Sequence, residues 1–190
     1  VADNYMNKPD EFIDKLYEYN LHDAYSFDVT EVAESKPELP TPDPKMGKYD
    51  LVSVAIGYNV KETPLNVVTF YNAIANDGKM MKPYVVESIE DQGRTVKEFK
   101  PVILNGSICS KATADTLTRA LTMVTLEGTA SRLKNARCTV AGKTGTSRIH
   151  LTKEERAGSK DPYADINGRK KHQATFVGFF PAEQPKYTAI

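Results

Sequence analysis

The sequence predicts an α+β fold in which helices pack against an antiparallel sheet. Apolar residues recur at helical spacing in three segments, around residues 8–20, 63–78 and 110–127. Several β-like runs are joined by short turns between residues 84 and 99 and again towards the end of the chain. The 190 residues are enough for one domain, or one with an appendage. Helices beside strands that turn back on themselves call for an α+β layer.

In the first helical segment Pro9 suits the opening position, and Asp10 and Glu11 complement the positive helix N-terminus. Phe12, Ile13, Leu16 and Tyr17 form its apolar face. From His22 to Asp50 the periodicity dissolves into a long Pro-rich connection carrying Pro37, Pro40, Pro42 and Pro44, read as an extended loop within the domain. Thr63 caps the second helix, Pro64 fits its first turn, and Gly78 stops it. Its expected buried stripe is Val67, Val68, Tyr71, Ile74 and Ala75. Tyr84–Ile89 and Thr95–Phe99 read as a hairpin around Glu90-Asp91-Gln92-Gly93. The third helix runs from a Ser110 cap to about Glu127, with Ala114, Leu117, Leu121 and Val124 inward and Gly128 ending it. A short strand at Arg137–Gly142, a polar loop from about Ile149 to Lys171, a strand at Gln173–Phe180, a turn at Pro181–Pro185 and a last strand complete the order.

Composition narrows the function. Lys+Arg and Asp+Glu balance at 25 each, so there is no basic excess to displace counterions from nucleic acid. No apolar run approaches the ~20 residues that cross a bilayer as a helix. Two cysteines, Cys109 and Cys138, are too few for a disulfide scaffold, and neither they nor His22, His150 and His172 show metal-ligand spacing. The chain opens on Val1 and stops at Ile190, inside what reads as the start of a strand. Natural domain ends are usually polar and mobile, so the expectation is a piece of a longer protein, truncated at both ends.

The chemistry concentrates in Val140-Ala141-Gly142-Lys143-Thr144-Gly145-Thr146-Ser147, which sets a cation, three hydroxyls and two glycines at the end of a β-like run. On a strand Lys143 and Gly145 share one face, and Thr144 and Thr146 the other. Glycine permits close backbone approach, which suits an edge strand pairing with an extended peptide, and a lysine beside hydroxyls makes a carboxylate clamp. The plain alternative is a polar strand end with a solvated lysine. Gly142-Lys143-Thr144 is also the tail of a phosphate-binding loop. However, Arg137 stands where that loop needs its first glycine, and no helical pattern follows.

Lys143-Thr144-Gly145 with Thr146 resembles the third signature of the serine acyl-transferases that include penicillin-binding proteins and β-lactamases. The surroundings strengthen the likeness. Ser53–Leu65 looks like a Gly-Tyr turn leading into a Thr-Pro-Leu helix, and Tyr71–Lys79 like that helix's Ala-Asn-x-Gly end before Lys82-Pro83. Glu127-Gly128-Thr129-Ala130 and Phe176–Ala182 flank the triplet in the family's order. The resemblance spans nearly the whole chain and is closest to class B penicillin-binding proteins of the septal, cell-division type, placing residues 1–190 in the later portion of one transpeptidase domain.

It implies serine acyl transfer on peptidoglycan stem peptides ending in D-Ala-D-Ala, β-lactam binding, and no cofactor or metal. It further implies an extracytoplasmic location, held by an N-terminal membrane anchor outside this chain, and cell-division membrane proteins as partners. By the same resemblance Lys143 supplies positive charge beside the reacting serine, and Thr144, Gly145 and Thr146 bind substrate. Thr146 also lends its backbone N–H to the oxyanion hole. Two of the family's three catalytic motifs are missing. Ser131-Arg132-Leu133-Lys134 is the only Ser-x-x-Lys, on the wrong side of the Gly-Thr-Ala turn, and no Ser-x-Asn occurs. The expectation is a chain that does not turn over substrate by itself. A β-lactam sensor or a non-catalytic module on the same fold is the alternative.

Overall fold

The computed structural model describes residues 2–25 and 36–190. The chain divides into two compact units, residues 1–118 and 119–190. Mixed helices and antiparallel strands bear out the α+β expectation.

The first unit opens with α1 (Ala2–Tyr5) and α2 (Pro9–Glu18). Pro9 occupies the first turn of α2, and Ile13 is fully buried, flanked by half-buried Phe12, Leu16 and Tyr17. The helix closes two residues short of the expected end, where Asn20 adopts a left-handed conformation (φ 57°). Of the expected 22–50 connection, residues 26–35 lie outside the described residues. Its later part crosses over to pair Glu38 with Lys61, through backbone hydrogen bonds of 2.8 and 2.9 Å and a 2.8 Å ion pair. The connection ends earlier than expected, because α3 (Lys48–Ala55) begins within it. That helix is hidden in the sequence by β-branched Val52 and Val54, which favour strands. It is held instead by burying Leu51 and Val54, one turn apart.

Helix α4 (Pro64–Ala75) forms as expected, with the Thr63 hydroxyl accepting the Asn66 N–H at 3.1 Å. Its buried stripe differs from the expected one: Asn66, Thr69, Ala73 and Ile74 are buried, whereas Val67, Val68, Tyr71 and Ala75 are half-buried. An apolar pattern could not show this, because the buried face is partly polar and satisfied. The Asn66 amide donates to the carbonyls of Asp23 (2.8 Å) and Leu21 (3.4 Å), tying α4 to the residues after α2. Gly78 ends the helical region with φ +89°, its N–H on the Ala73 carbonyl at 2.8 Å. A side chain there would meet the Cys109 carbonyl oxygen at 2.3 Å, so the position needs glycine twice over.

Two short strands absent from the sequence reading, β1 (Met80–Met81) and β4 (Ile103–Asn105), pair antiparallel. Between them β2 (Ser88–Asp91) and β3 (Arg94–Glu98) form the expected hairpin, shorter at its start because residues 84–87 are not strand. Gln92 and Gly93 both take positive φ (47° and 74°), the two-residue turn that matches strand twist. Helix α5 (Lys111–Leu126) begins with the Ser110 hydroxyl accepting the Thr113 N–H at 3.2 Å. Ala114 and Thr125 are its buried ends, with Thr118 and Leu121 half-buried between them, and expected-inward Leu117 is exposed at the margin of this stripe.

In the second unit a 3₁₀ turn (Ser131–Leu133) precedes β5 (Ala141–Arg148). The strand starts four residues later than expected and carries the Lys-Thr-Gly triplet inside it rather than at its end. Along all eight residues β5 pairs antiparallel with β6 (His172–Phe180), from Ala141↔Phe179 to Arg148↔His172. The loop between them contains α6 (Lys153–Arg156), closed by a Thr152/Glu155 capping box. Strand β7 (Tyr187–Ala189) adds to the far side of β6, giving the order β5-β6-β7. One face of the sheet buries Ala141, Val177 and Phe179. On the other face Gly142 lies opposite Gly178, and the Phe176 ring crosses the gap they leave.

Beside the α4 cap, both carboxyl oxygens of Glu62 are buried without a hydrogen-bond partner among the described residues. Burial raises its pKa from 4.5 to about 7, and the nearby Tyr25 hydroxyl is pushed up to about 12 by burial, Asp23 and Glu62. The folded state therefore holds a proton on Glu62 that the unfolded chain has released across this window. Stability is lost as pH rises from the unfolded value towards the folded one. Glu62→Gln is expected to flatten this decline and to raise the melting temperature selectively above pH 7, measured by thermal denaturation across pH. In the sheet, a Cβ at Gly142 would stand 2.4 Å from the Phe176 ring and 2.7 Å from the Val177 carbonyl oxygen. Gly142→Ala is thus expected to cost about 1–3 kcal/mol in equilibrium unfolding. Gly145→Ala is expected to cost less, because the close neighbour it meets among the described residues is the Thr175 hydroxyl, which can rotate away.

Candidate functional site

The Lys-Thr-Gly strand is the edge of its sheet among the described residues, with β6 on one side only. An edge strand leaves every second backbone N–H and C=O unpaired by its own sheet, a template for an extended chain. Close packing with β6 depends on the missing side chains of Gly142 and Gly178, whose added Cβ atoms would meet backbone oxygens at 2.7 and 2.5 Å. These glycines hold the strand close against β6.

The register places Lys143 and Gly145 opposite Val177 and Thr175 on one face, and Thr144 and Thr146 opposite Phe176 and Ala174 on the other, as alternation predicts. The lysine does not keep to its face. Its stem folds back so that Nζ donates to the Thr144 carbonyl at 2.8 Å and approaches the Thr144 hydroxyl at 3.4 Å. Lys143 and Thr146 are exposed, whereas Thr144 and Gly145 are half-buried. The structure thus brings the Lys143 ammonium and the Thr144 hydroxyl together and leaves Thr146 open two residues further along.

Two supports come from residues to which sequence reasoning gave no site role. The buried Thr125, in the last turn of α5, donates its hydroxyl towards the Val140 carbonyl at 2.5 Å and the Thr122 carbonyl at 2.9 Å. Four residues on, the Thr129 hydroxyl lies 2.7 Å from the Thr144 hydroxyl. Both links join residues fifteen apart, so the end of α5 and its following turn run alongside the strand in constant offset. That turn is fixed in place, with the N–H groups of Gly128 and Ala130 on the carbonyls of Met123 and Val124, each at 3.1 Å. The Gly128-Thr129 pair after the helix was visible in the sequence; its contact with Thr144 is tertiary and was not.

Other sequence candidates separate from this cluster. Ser131 lies in the 3₁₀ turn, where the Lys134 backbone N–H donates to its carbonyl at 3.2 Å, but among the described residues no side-chain hydrogen bond joins its hydroxyl to the Lys134 ammonium, the base that a serine nucleophile would need. Gly142-Lys143-Thr144 is strand rather than a loop opening a helix, which removes the phosphate-loop geometry. The polar loop at 149–171 is mostly exposed and is anchored at a few points. Leu151 and Ala164 are buried, Leu151 N–H reaches the Pro162 carbonyl at 2.9 Å, and Lys171 pairs with Glu155. Asn105 donates its side-chain amide to the Glu18 carbonyl at 3.0 Å and to the Asn20 side-chain oxygen at 3.2 Å.

Comparison with known proteins places this arrangement. The family described as penicillin binding protein transpeptidase domain matches residues 13–190. Penicillin-binding protein H of Bacillus subtilis is 30% identical over 142 residues, covering 72% of this chain and 19% of that protein. The peptidoglycan D,D-transpeptidase MrdA of Acinetobacter baumannii is 27% identical over 165 residues, covering 81% of this chain and 24% of its own. The chain therefore spans about a quarter or less of these relatives. The structure of Mycobacterium tuberculosis penicillin-binding protein A as its ceftriaxone acyl-enzyme complex superimposes with a TM-score of 0.69 at 23% identity, covering 93% of this chain and 36% of that one. The likeness to class B penicillin-binding proteins read from the sequence is borne out, and the chain belongs to the penicillin-binding protein transpeptidase domain family.

Proposed function

We infer that this chain is the substrate-gripping portion of a class B, cell-division-type peptidoglycan D,D-transpeptidase. The observation that carries the reading is the edge strand β5, on which the Lys143 ammonium meets the Thr144 hydroxyl and Thr146 stands open beside them. A stem peptide ending in D-Ala-D-Ala is extended and ends in a carboxylate. The unpaired edge offers it backbone hydrogen bonds, and the cation and hydroxyls offer it charge-assisted ones. A β-lactam carries a comparable carboxylate and occupies the same place.

In the complete enzyme a serine outside this chain attacks the penultimate D-Ala carbonyl, D-Ala leaves, and an amine from a second strand takes the acyl group. Lys143 lends positive charge beside the reacting serine, and the Thr144 and Thr146 hydroxyls hold the terminal carboxylate. The Thr146 N–H supplies one of two oxyanion donors, each worth ~3 kcal/mol of barrier. The enzyme works on the extracytoplasmic face of the inner membrane, anchored by a segment outside this chain, among cell-division membrane proteins. None of the described helices is long and apolar enough to cross a membrane.

Acylation by a fluorescent penicillin, followed on denaturing gels, tests the reading. The complete protein takes up covalent label, and the 190-residue chain alone takes up none. Lys143→Ala in the complete protein is expected to slow labelling by about 100-fold, or ~2.7 kcal/mol of barrier, without changing the circular dichroism spectrum. Unaltered labelling of that variant would show that the Lys-Thr-Gly strand does not serve acylation.

A further inference from the structure

We propose that Thr129 is a positioning residue for carboxylate recognition: it donates its hydroxyl proton to Thr144, leaving the Thr144 proton free for the substrate. The proposal rests on the reading of Thr144 as a carboxylate ligand and adds the residue that sets its polarity.

The two hydroxyl oxygens lie 2.7 Å apart, an ordinary O–H···O distance in which either can donate. A hydroxyl has one proton and two lone pairs. If Thr144 gives its proton to Thr129, it has none left for a carboxylate, which only accepts. Lys143 breaks the symmetry. Its ammonium has protons and no lone pair, and at 3.4 Å it faces the Thr144 oxygen as a donor. With Lys143 on one lone pair and the Thr129 proton on the other, the remaining vector at Thr144 is its own O–H, available to an incoming acceptor. Binding of a carboxylate selects this arrangement.

Thr129 is placed for the task by backbone rather than by its own side chain. The Gly128 and Ala130 N–H groups pin its turn to the last carbonyls of α5, and Thr125 pins the same helix to the strand at Val140. At Gly128 a Cβ would stand 2.8 Å from the Val124 Cα, so glycine lets the turn close tightly on the helix. The donor is therefore delivered to Thr144 in fixed register.

The test compares acylation rates of the complete protein by benzylpenicillin and by its methyl ester, which lacks the charged carboxylate. The parent protein is expected to favour the acid. Thr129→Val is expected to slow the acid about tenfold and leave the ester rate unchanged, and Thr129→Ser to restore the acid rate. A Thr129→Val variant that slows both substrates equally, or neither, overturns the proposal, as does a serine variant that fails to rescue. If the parent protein does not distinguish acid from ester, the carboxylate reading of Thr144 itself fails, and the proposal falls with it by a separate and recognisable result.

Discussion

The pairing of β5 with β6 through two facing glycines is the constraint on which the rest of the second unit depends. Gly142 and Gly178 lie directly opposite, and a methyl group on either would press on backbone oxygen of the other strand. The close approach lets the Phe176 ring lie across both and fill the space that their missing side chains leave. On the opposite face Ala141, Val177 and Phe179 are buried. The strand is therefore rigid where it enters the site. Directly after Gly142 the same edge strand carries a cation at Lys143 and hydroxyls at Thr144, Thr146 and Ser147.

The close-packed strand fixes positions, and the proposed carboxylate recognition also needs a set hydroxyl polarity, which we assign to the Thr129 contact in the segment after α5. Thr125 and Thr129 touch Val140 and Thr144 with the same offset of fifteen residues, so one helix end and its turn hold both the entry of the strand and its first hydroxyl. The exposed Lys143 would otherwise be a mobile solvated charge. Folding back onto the Thr144 carbonyl brings its charge to the edge of the sheet.

Local signals were legible in the sequence where one residue type has one physical use. Pro9 and Thr63-Pro64 open helices, Gln92-Gly93 turns a hairpin, and Gly78 ends a helical region at positive φ. Lys143, Thr144 and Thr146 were legible as a polar cluster on a strand for the same reason. The limits of that strand were not, because Gly, Lys, Thr and Ser carry little apolar alternation and β6 imposes the pairing. Helix α3 and the polar buried stripe of α4 escaped because they are settled by tertiary satisfaction, as in the Asn66 amide on the Asp23 carbonyl. Thr125 and Thr129 escaped because their partners are chosen by packing.

We propose that the edge of β5 holds the carboxylate of the acyl donor. A crystal structure of the complete protein acylated by benzylpenicillin tests it most directly. The penicillin carboxylate is expected at about 2.6–3.0 Å from the Thr144 and Thr146 hydroxyl oxygens, with the Lys143 ammonium at the same edge. A carboxylate bound elsewhere, with those hydroxyls still facing solvent, would contradict it.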